Sequence, residues 1–159
     1  MKENKYDDRD FFEKYSGMDR SQKGLAGAGE WHDFQKLMPD FTGRRVLDLG
    51  CGFGWHCAYA MEQGACGAVG VDISANMLRV ARQKNRYPQV EYMQMPIEDI
   101  DFGPASFDIV LSSLAFHYVA SFADICKKVA ACLAPGGDFV FSVEHPIFTA
   151  YGSQDWFYG

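Results

Sequence analysis

A chain of 159 residues has the length of one domain, and 48% hydrophobic with 23% charged residues is the composition of a folded globular protein, which excludes disordered and collagen-like chains. A net charge of −6 argues against non-specific nucleic-acid binding, which needs cationic contacts to phosphate, so no nucleic-acid partner is expected. No apolar run approaches the roughly 18 residues of a membrane span, and the N-terminus MKENKYDDRDFFEK lacks the apolar core of a secretion signal, so a cytoplasmic protein without membrane contact is expected.

Residues 1–42 are polar and aromatic and read as an N-terminal helical arm, with a helical patch over Asp7–Tyr15 and a glycine-rich turn at Gly24, Gly27 and Gly29. Trp31, Phe34, Leu37 and Met38 recur at helical spacing and predict a short helix over 30–38, stopped by Pro39. From residue 43 onward the pattern becomes alternating strands and helices, which defines the second segment, 43–159. Arg45–Leu49 reads as a buried strand, Gly50–Gly54 as a turn, and Trp55–Gln63 as a helix ended by Gly64. Ala68–Val71 is a second strand, and Ser74 suits the N-cap of a helix reaching Asn85. Val90–Met93 and Phe107–Ser112 are the third and fourth strands, joined by a loop, Gln94–Ser106, that holds Pro96, Gly103 and Pro104. An apolar stripe at 122, 125, 126, 129, 132 and 133 predicts an amphipathic helix over Ser121–Leu133. Pro135-Gly136-Gly137 breaks it, and Phe139–Val143 is the fifth strand. Such alternation implies an α/β fold with a parallel sheet covered by helices. Ligands of such sheets bind beyond the carboxyl ends of the strands.

The five cysteines form no Cys-x-x-Cys pair and read as free thiols of a reducing compartment. Histidines 32, 56, 117 and 145 are scattered without ligand spacing, so no metal is expected.

The strongest local signal is Val46-Leu47-Asp48-Leu49-Gly50-Cys51-Gly52-Phe53-Gly54, a buried strand running into three glycines at alternate positions and then a helix. Glycines let a ligand approach the backbone, and the helix N-terminus favours an anionic group. A dinucleotide fingerprint would carry its third glycine where Trp55 stands. Here that glycine comes one residue early, and Asp48 lies two residues before the first. The arrangement resembles motif I of the class I S-adenosylmethionine-dependent methyltransferases, in particular the small-molecule type whose motif reads LDLGCGxG. Further segments are similar in order: Gly70-Val71-Asp72-Ile73-Ser74, Met95-Pro96-Ile97-Glu98-Asp99, Leu111 to Tyr118, Leu133-Ala134-Pro135-Gly136-Gly137 and Ser142-Val143-Glu144-His145-Pro146.

The resemblance implies a Rossmann-like, doubly wound, mostly parallel sheet of order 3-2-1-4-5, with the arm as a lid over S-adenosylmethionine and a small-molecule methyl acceptor. It implies cofactor contacts from Asp48, Leu49, Gly50, Cys51, Gly52, Phe53 and Gly54, and from Asp72 to the ribose diol. Ile73 and Met77 would flank adenine, though core packing explains them equally. Met95, Pro96, Ile97 and Glu98 would bracket the same ring. Pro96 departs from the family's frequent Asp, and Glu98 with Asp99 also reads as a solvated turn. Ser112 would border the methyl-donor sulfur. His117 is the candidate general base, since an imidazole titrates near neutral pH; packing or capping after the fourth strand accounts for it equally, and Glu144 and His145 are weaker candidates because His145-Pro146 also reads as a turn. Arg20 could hold the cofactor carboxylate, against the reading of a solvated arginine.

The family fold has seven strands, whereas this chain stops 16 residues after Val143. That predicts a C-terminally shortened domain, a fifth strand left as a sheet edge, and self-association through it unless the tail residues Tyr151, Trp156, Phe157 and Tyr158 fold over it. Two rival functions stay open: a cofactor-binding module without catalysis, and a nicotinamide-dependent oxidoreductase, which Trp55 disfavours.

Overall fold

The computed structural model describes residues 4–145 and 147. Five parallel strands form one sheet in the order β3-β2-β1-β4-β5, as expected: β1 Arg45–Leu49, β2 Gly67–Asp72, β3 Val90–Gln94, β4 Phe107–Ser113 and β5 Leu133–Ser142. Helices α4 (Trp55–Glu62), α5 (Ala75–Lys84) and α6 (Phe122–Cys132) are the crossovers. The sheet is apolar on both faces because helices cover both. Val46, Ile109 and Leu111 meet Cys57 and Ala60 of α4 and Leu78 of α5 on one face. Leu47, Leu49 and Val110 meet Ile125 and Val129 of α6 on the other. Removing that apolar area from water is the main favourable contribution to folding.

The arm runs through a 3₁₀ turn at Lys5–Asp7, α1 (Arg9–Ser16), α2 (Asp19–Gln22), a second 3₁₀ turn at Gly24–Gly27 and α3 (Trp31–Phe34). Asp8 caps α1 by accepting the Phe11 N–H at 2.9 Å, and Ser74 caps α5 by accepting that of Met77 at 3.1 Å.

Three expected elements differ from the structure. The helix over 30–38 is instead α3 followed by a 3₁₀ turn, Gln35–Leu37, as tightening before Pro39 ends the regular ladder. Ser121 lies outside α6 as its N-cap, accepting the Asp124 N–H at 3.3 Å. Strand β5 starts at Leu133, not at Phe139, and includes the Pro135-Gly136-Gly137 segment as a bulge, with Phe107 opposite Leu133 but Ile109 opposite Asp138. Proline is tolerated there because β5 is the edge of the sheet among the described residues. The aromatic tail residues expected to cover that edge, Tyr151, Trp156, Phe157 and Tyr158, lie outside the described residues.

Candidate functional site

A cavity of about 410 Å³ opens beyond the carboxyl ends of β1, β2 and β4, and the arm walls it from above. Its floor is the turn after β1. The N–H groups of Gly50 and Cys51 donate to the Val71 carbonyl at 2.8 and 3.0 Å, tying the turn to β2. Gly50 must be glycine because a Cβ there would lie 2.5 Å from that of Ala115. Gly52 has φ +52° and nothing within 4 Å of an added Cβ, so its face is open to the cavity. Its N–H donates to Asp72 Oδ2 at 2.8 Å, while Ser74 N–H donates to Oδ1 at 2.9 Å. Asp72 is buried to 8% exposure; burial pushes its carboxyl up, the two N–H donors pull it down, and burial prevails. Each carboxylate oxygen retains a further acceptor site for a diol.

Nine of the sixteen expected site residues line this cavity: Gly50, Gly52 and Asp72, then Ile73, Met77, Pro96, Ile97 and Glu98 beside them, and His117 at the far end. Leu49, Cys51, Phe53 and Gly54 are buried beneath it as the support of the turn. Met95 packs against the sheet core, and its N–H holds the Asp72 carbonyl at 3.0 Å. Ser112 points away: it is fully buried and donates to the Leu49 carbonyl at 2.8 Å. Strand alternation therefore turns its neighbour Ser113 to the cavity. Asp48 is buried as well, to 1% exposure. Cys57 Sγ lies 3.7 Å from its Oδ2, and Oδ1 has no partner. Burial first, then the nearby Asp72 charge, pushes the Asp48 carboxyl up to about 7, against the opposing Cys57 contact.

Residues that sequence reading did not single out complete the surroundings, together with Arg20 and His117, which it did. Asp7 accepts from Ser74 Oγ at 2.6 Å and from the N–H of Asn76 at 3.1 Å, fixing the first arm turn to the start of α5. Beside it the Tyr6 hydroxyl is hydrogen-bonded to that of Tyr118 at 3.4 Å, so the turn bridges the cavity mouth. Tyr15 of the arm stacks edge-on against Phe53 of the glycine turn, with centroids 5.7 Å apart. Burial pushes both Tyr6 and Tyr15 phenols up, so they are neutral at ordinary pH. Arg20 donates to Glu30 Oε1 at 3.0 Å, and Ser113 Oγ reaches the same oxygen at 3.4 Å. Leu114, also in the lining, has φ +51°, a conformation its side chain disfavours. It is held there by its N–H donating to the Ser142 carbonyl at 2.9 Å. His117 lies in the 3₁₀ turn Phe116–Tyr118, with Nε2 4.0 Å from Glu144 Oε2 and Nδ1 buried without a partner. Burial lowers the His117 pKa and the Glu144 charge partly offsets that. Among the described residues no cluster could hold a metal, and no helix is long and apolar enough to cross a membrane.

A parallel doubly wound sheet, a glycine turn after β1 and an acid at the end of β2 facing one cavity define a protein built to hold a nucleoside-bearing ligand at its strand ends. The chain belongs to the methyltransferase domain family, whose model matches residues 47–141. It is similar to an uncharacterized protein of Haemophilus influenzae, 34% identical over 152 residues, covering 92% of this chain and 60% of that one. Among solved structures it is similar to a candidate S-adenosylmethionine dependent methyltransferase from Listeria monocytogenes, with 57% identity and TM-score 0.77, over 81% of this chain and 61% of that one. A S-adenosylmethionine dependent methyltransferase from Mesorhizobium loti matches at 43% identity and TM-score 0.76, over 79% and 57%. The chain thus spans about three fifths of the length of these relatives.

Proposed function

We propose that this domain binds S-adenosylmethionine and serves methyl transfer to a small-molecule acceptor in the cytoplasm. The observation that carries the reading is Asp72 facing the open side of Gly52 across one cavity. The carboxylate has acceptor sites for a ribose diol, and the open glycine has room for an amino-acid chain. Ile73, Met77, Pro96 and Ile97 supply the apolar wall for a base, and Arg20, anchored by Glu30, supplies a cation for a carboxylate. When bound, the sulfonium supplies an electrophilic methyl group. The residues of the chain align the acceptor and exclude water, which is the larger part of the rate gain for such a displacement. The arm, residues 1–42, acts as a lid, and the Asp7 and Tyr6 contacts are its fastenings. Where an acceptor arrives protonated, the His117–Glu144 pair at the end of the cavity takes the proton.

The alternative is a module that binds the cofactor without turning it over. Calorimetry with S-adenosylhomocysteine, paired with a homocysteine-release assay over an acceptor panel, separates the two. A nicotinamide ligand is disfavoured because Trp55 stands where a dinucleotide fingerprint carries its third glycine. Competition between NAD and S-adenosylhomocysteine tests this, and displacement by NAD at equal concentration overturns the cofactor assignment.

A further inference from the structure

The cavity has a polar end that the cofactor assignment leaves without a role. The β4 and β5 register pairs Ser113 with Ser142, and each chain continues past that pair into the cavity wall. One continuation delivers His117, the other Glu144, and both line the cavity. The His117 side chain is 9% exposed and that of Glu144 is 39% exposed. Their 4.0 Å separation is longer than a hydrogen bond and within reach of one by a small rotation.

Hydrogen-bond accounting decides which of the two faces a ligand. Nδ1 of His117 is sealed from solvent and has no partner. A proton there would be a buried donor without an acceptor, whereas a bare lone pair in the same place is the cheaper state. The imidazole proton therefore belongs on Nε2, the nitrogen that faces Glu144. In that tautomer His117 offers the cavity no lone pair, and its N–H steadies the carboxylate beside it. The Tyr118 ring packs on the imidazole with centroids 4.2 Å apart, and its hydroxyl is occupied by Tyr6. Both cations of the lining, Lys5 and Arg20, come from the arm, and Arg20 is engaged by Glu30. At the β4–β5 end, then, a carboxylate is presented among aromatic rings, surroundings that suit a cationic or N–H-bearing group.

We propose that Glu144 is the acceptor-binding carboxylate of this site, that His117 positions it, and that the acceptor is a primary or secondary amine. This rests on the methyl-transfer reading of the same cavity. The amine enters as an ammonium ion. Its N–H proton passes to a Glu144 carboxylate oxygen, giving the neutral carboxyl and a neutral amine; the amine lone pair would form the N–CH₃ bond as the methyl–sulfur bond breaks, the neutral thioether leaving and the charge passing to the methylated ammonium product. The carboxyl then releases that proton to water through its exposed side.

The test uses three probes of one shape: benzylamine, benzyl alcohol and benzoate. Each is titrated into the full chain with and without S-adenosylhomocysteine, with the histidine ring ¹⁵N signals as the readout. Benzylamine is expected to move the His117 signals and to bind about tenfold more tightly than the other two. Glu144→Gln should remove that preference and shift the His117 resonances while leaving S-adenosylhomocysteine affinity in place. The ¹⁵N shifts of the native protein should report the proton on Nε2. Equal or tighter binding of benzoate or benzyl alcohol, a preference that survives in Glu144→Gln, or a proton on Nδ1 overturns the proposal. Failure of S-adenosylhomocysteine to bind would sink the cofactor assignment instead, and the titrations without it would still decide the role of Glu144.

Discussion

Asp48 sits at the head of the glycine motif, yet it is almost fully buried, with one oxygen unpartnered and its carboxyl pushed from 3.8 up to about 7. An acid with a raised folded-state pKa stabilises the fold fully below its unfolded value and loses that contribution as pH rises toward its folded value. The window here runs from 3.8 to about 7. Each pH unit within it costs about 1.4 kcal/mol, so the full span is on the order of 4 kcal/mol. Asn cannot ionise and has nearly the same shape. Asp48→Asn should therefore match the native chain near pH 4 and exceed it progressively as pH rises, by on the order of 4 kcal/mol at pH 7 and above. Urea unfolding of both chains at each pH from 4 to 8 measures the difference directly. A constant difference across that range, or one that shrinks as pH rises, refutes the argument from burial. A gain in stability at neutral pH on removing a motif residue would mark Asp48 as kept for the site and not for the fold.

Asp72→Asn should weaken S-adenosylhomocysteine binding by about 10- to 100-fold, the loss of one charge-assisted bond; unchanged affinity by calorimetry with an intact circular dichroism spectrum would falsify the ribose assignment. Gly52→Val should abolish binding and also lower the melting temperature, because φ is +52°; if Gly52→Ala melts lower yet titrates normally, the open face of Gly52 does not meet the ligand. Asp7→Asn should loosen the arm by roughly 1 kcal/mol, raising both the association and dissociation rates of S-adenosylhomocysteine in stopped flow. Burial pushes the Asp7 carboxyl up, but the donors at Ser74, Asn76, Asn4 and Ala75 hold it below 3.8, so the native fastening should fail only as pH falls below about 4. Strand β5 exposes Phe141, and Val143 beyond it is also exposed, so light scattering on the 159-residue chain should show self-association; a monodisperse monomer excludes pairing through that edge.

The sheet was legible because its strands are short apolar runs set between helices whose apolar residues recur at helical spacing. The glycine turn was legible because its alternate spacing has few other uses. Orientation within the buried strands was not. Ser112 and Ser113 are adjacent in a strand covered on both faces, so no polar alternation marks which one meets the cavity. The bulge of β5 was hidden because Pro135 and two glycines carry the composition of a loop, and only the edge position admits them to a strand. The arm contacts were out of reach for another reason. Asp7 meets Ser74 and Tyr6 meets Tyr118 across 67 and 112 residues of chain, and no local pattern encodes such pairs. Glu144 was a weaker base candidate in the sequence, and its place beside His117 emerges only through the register of two strands.

The fastening of the arm has a kinetic consequence. Asp7 holds the start of α5 without lining the cavity, whereas Tyr6, Tyr15 and Arg20 on the same arm do line it. If the arm closes over the guest as proposed, a bolt that never touches the guest sets how often the mouth opens, and so acts on both entry and exit. Only the residues that face the guest can make the shut state prefer one occupant over another. On that reading, substitutions at Asp7 retune the rates of entry and exit, and substitutions at the cavity-facing positions retune which molecules are kept.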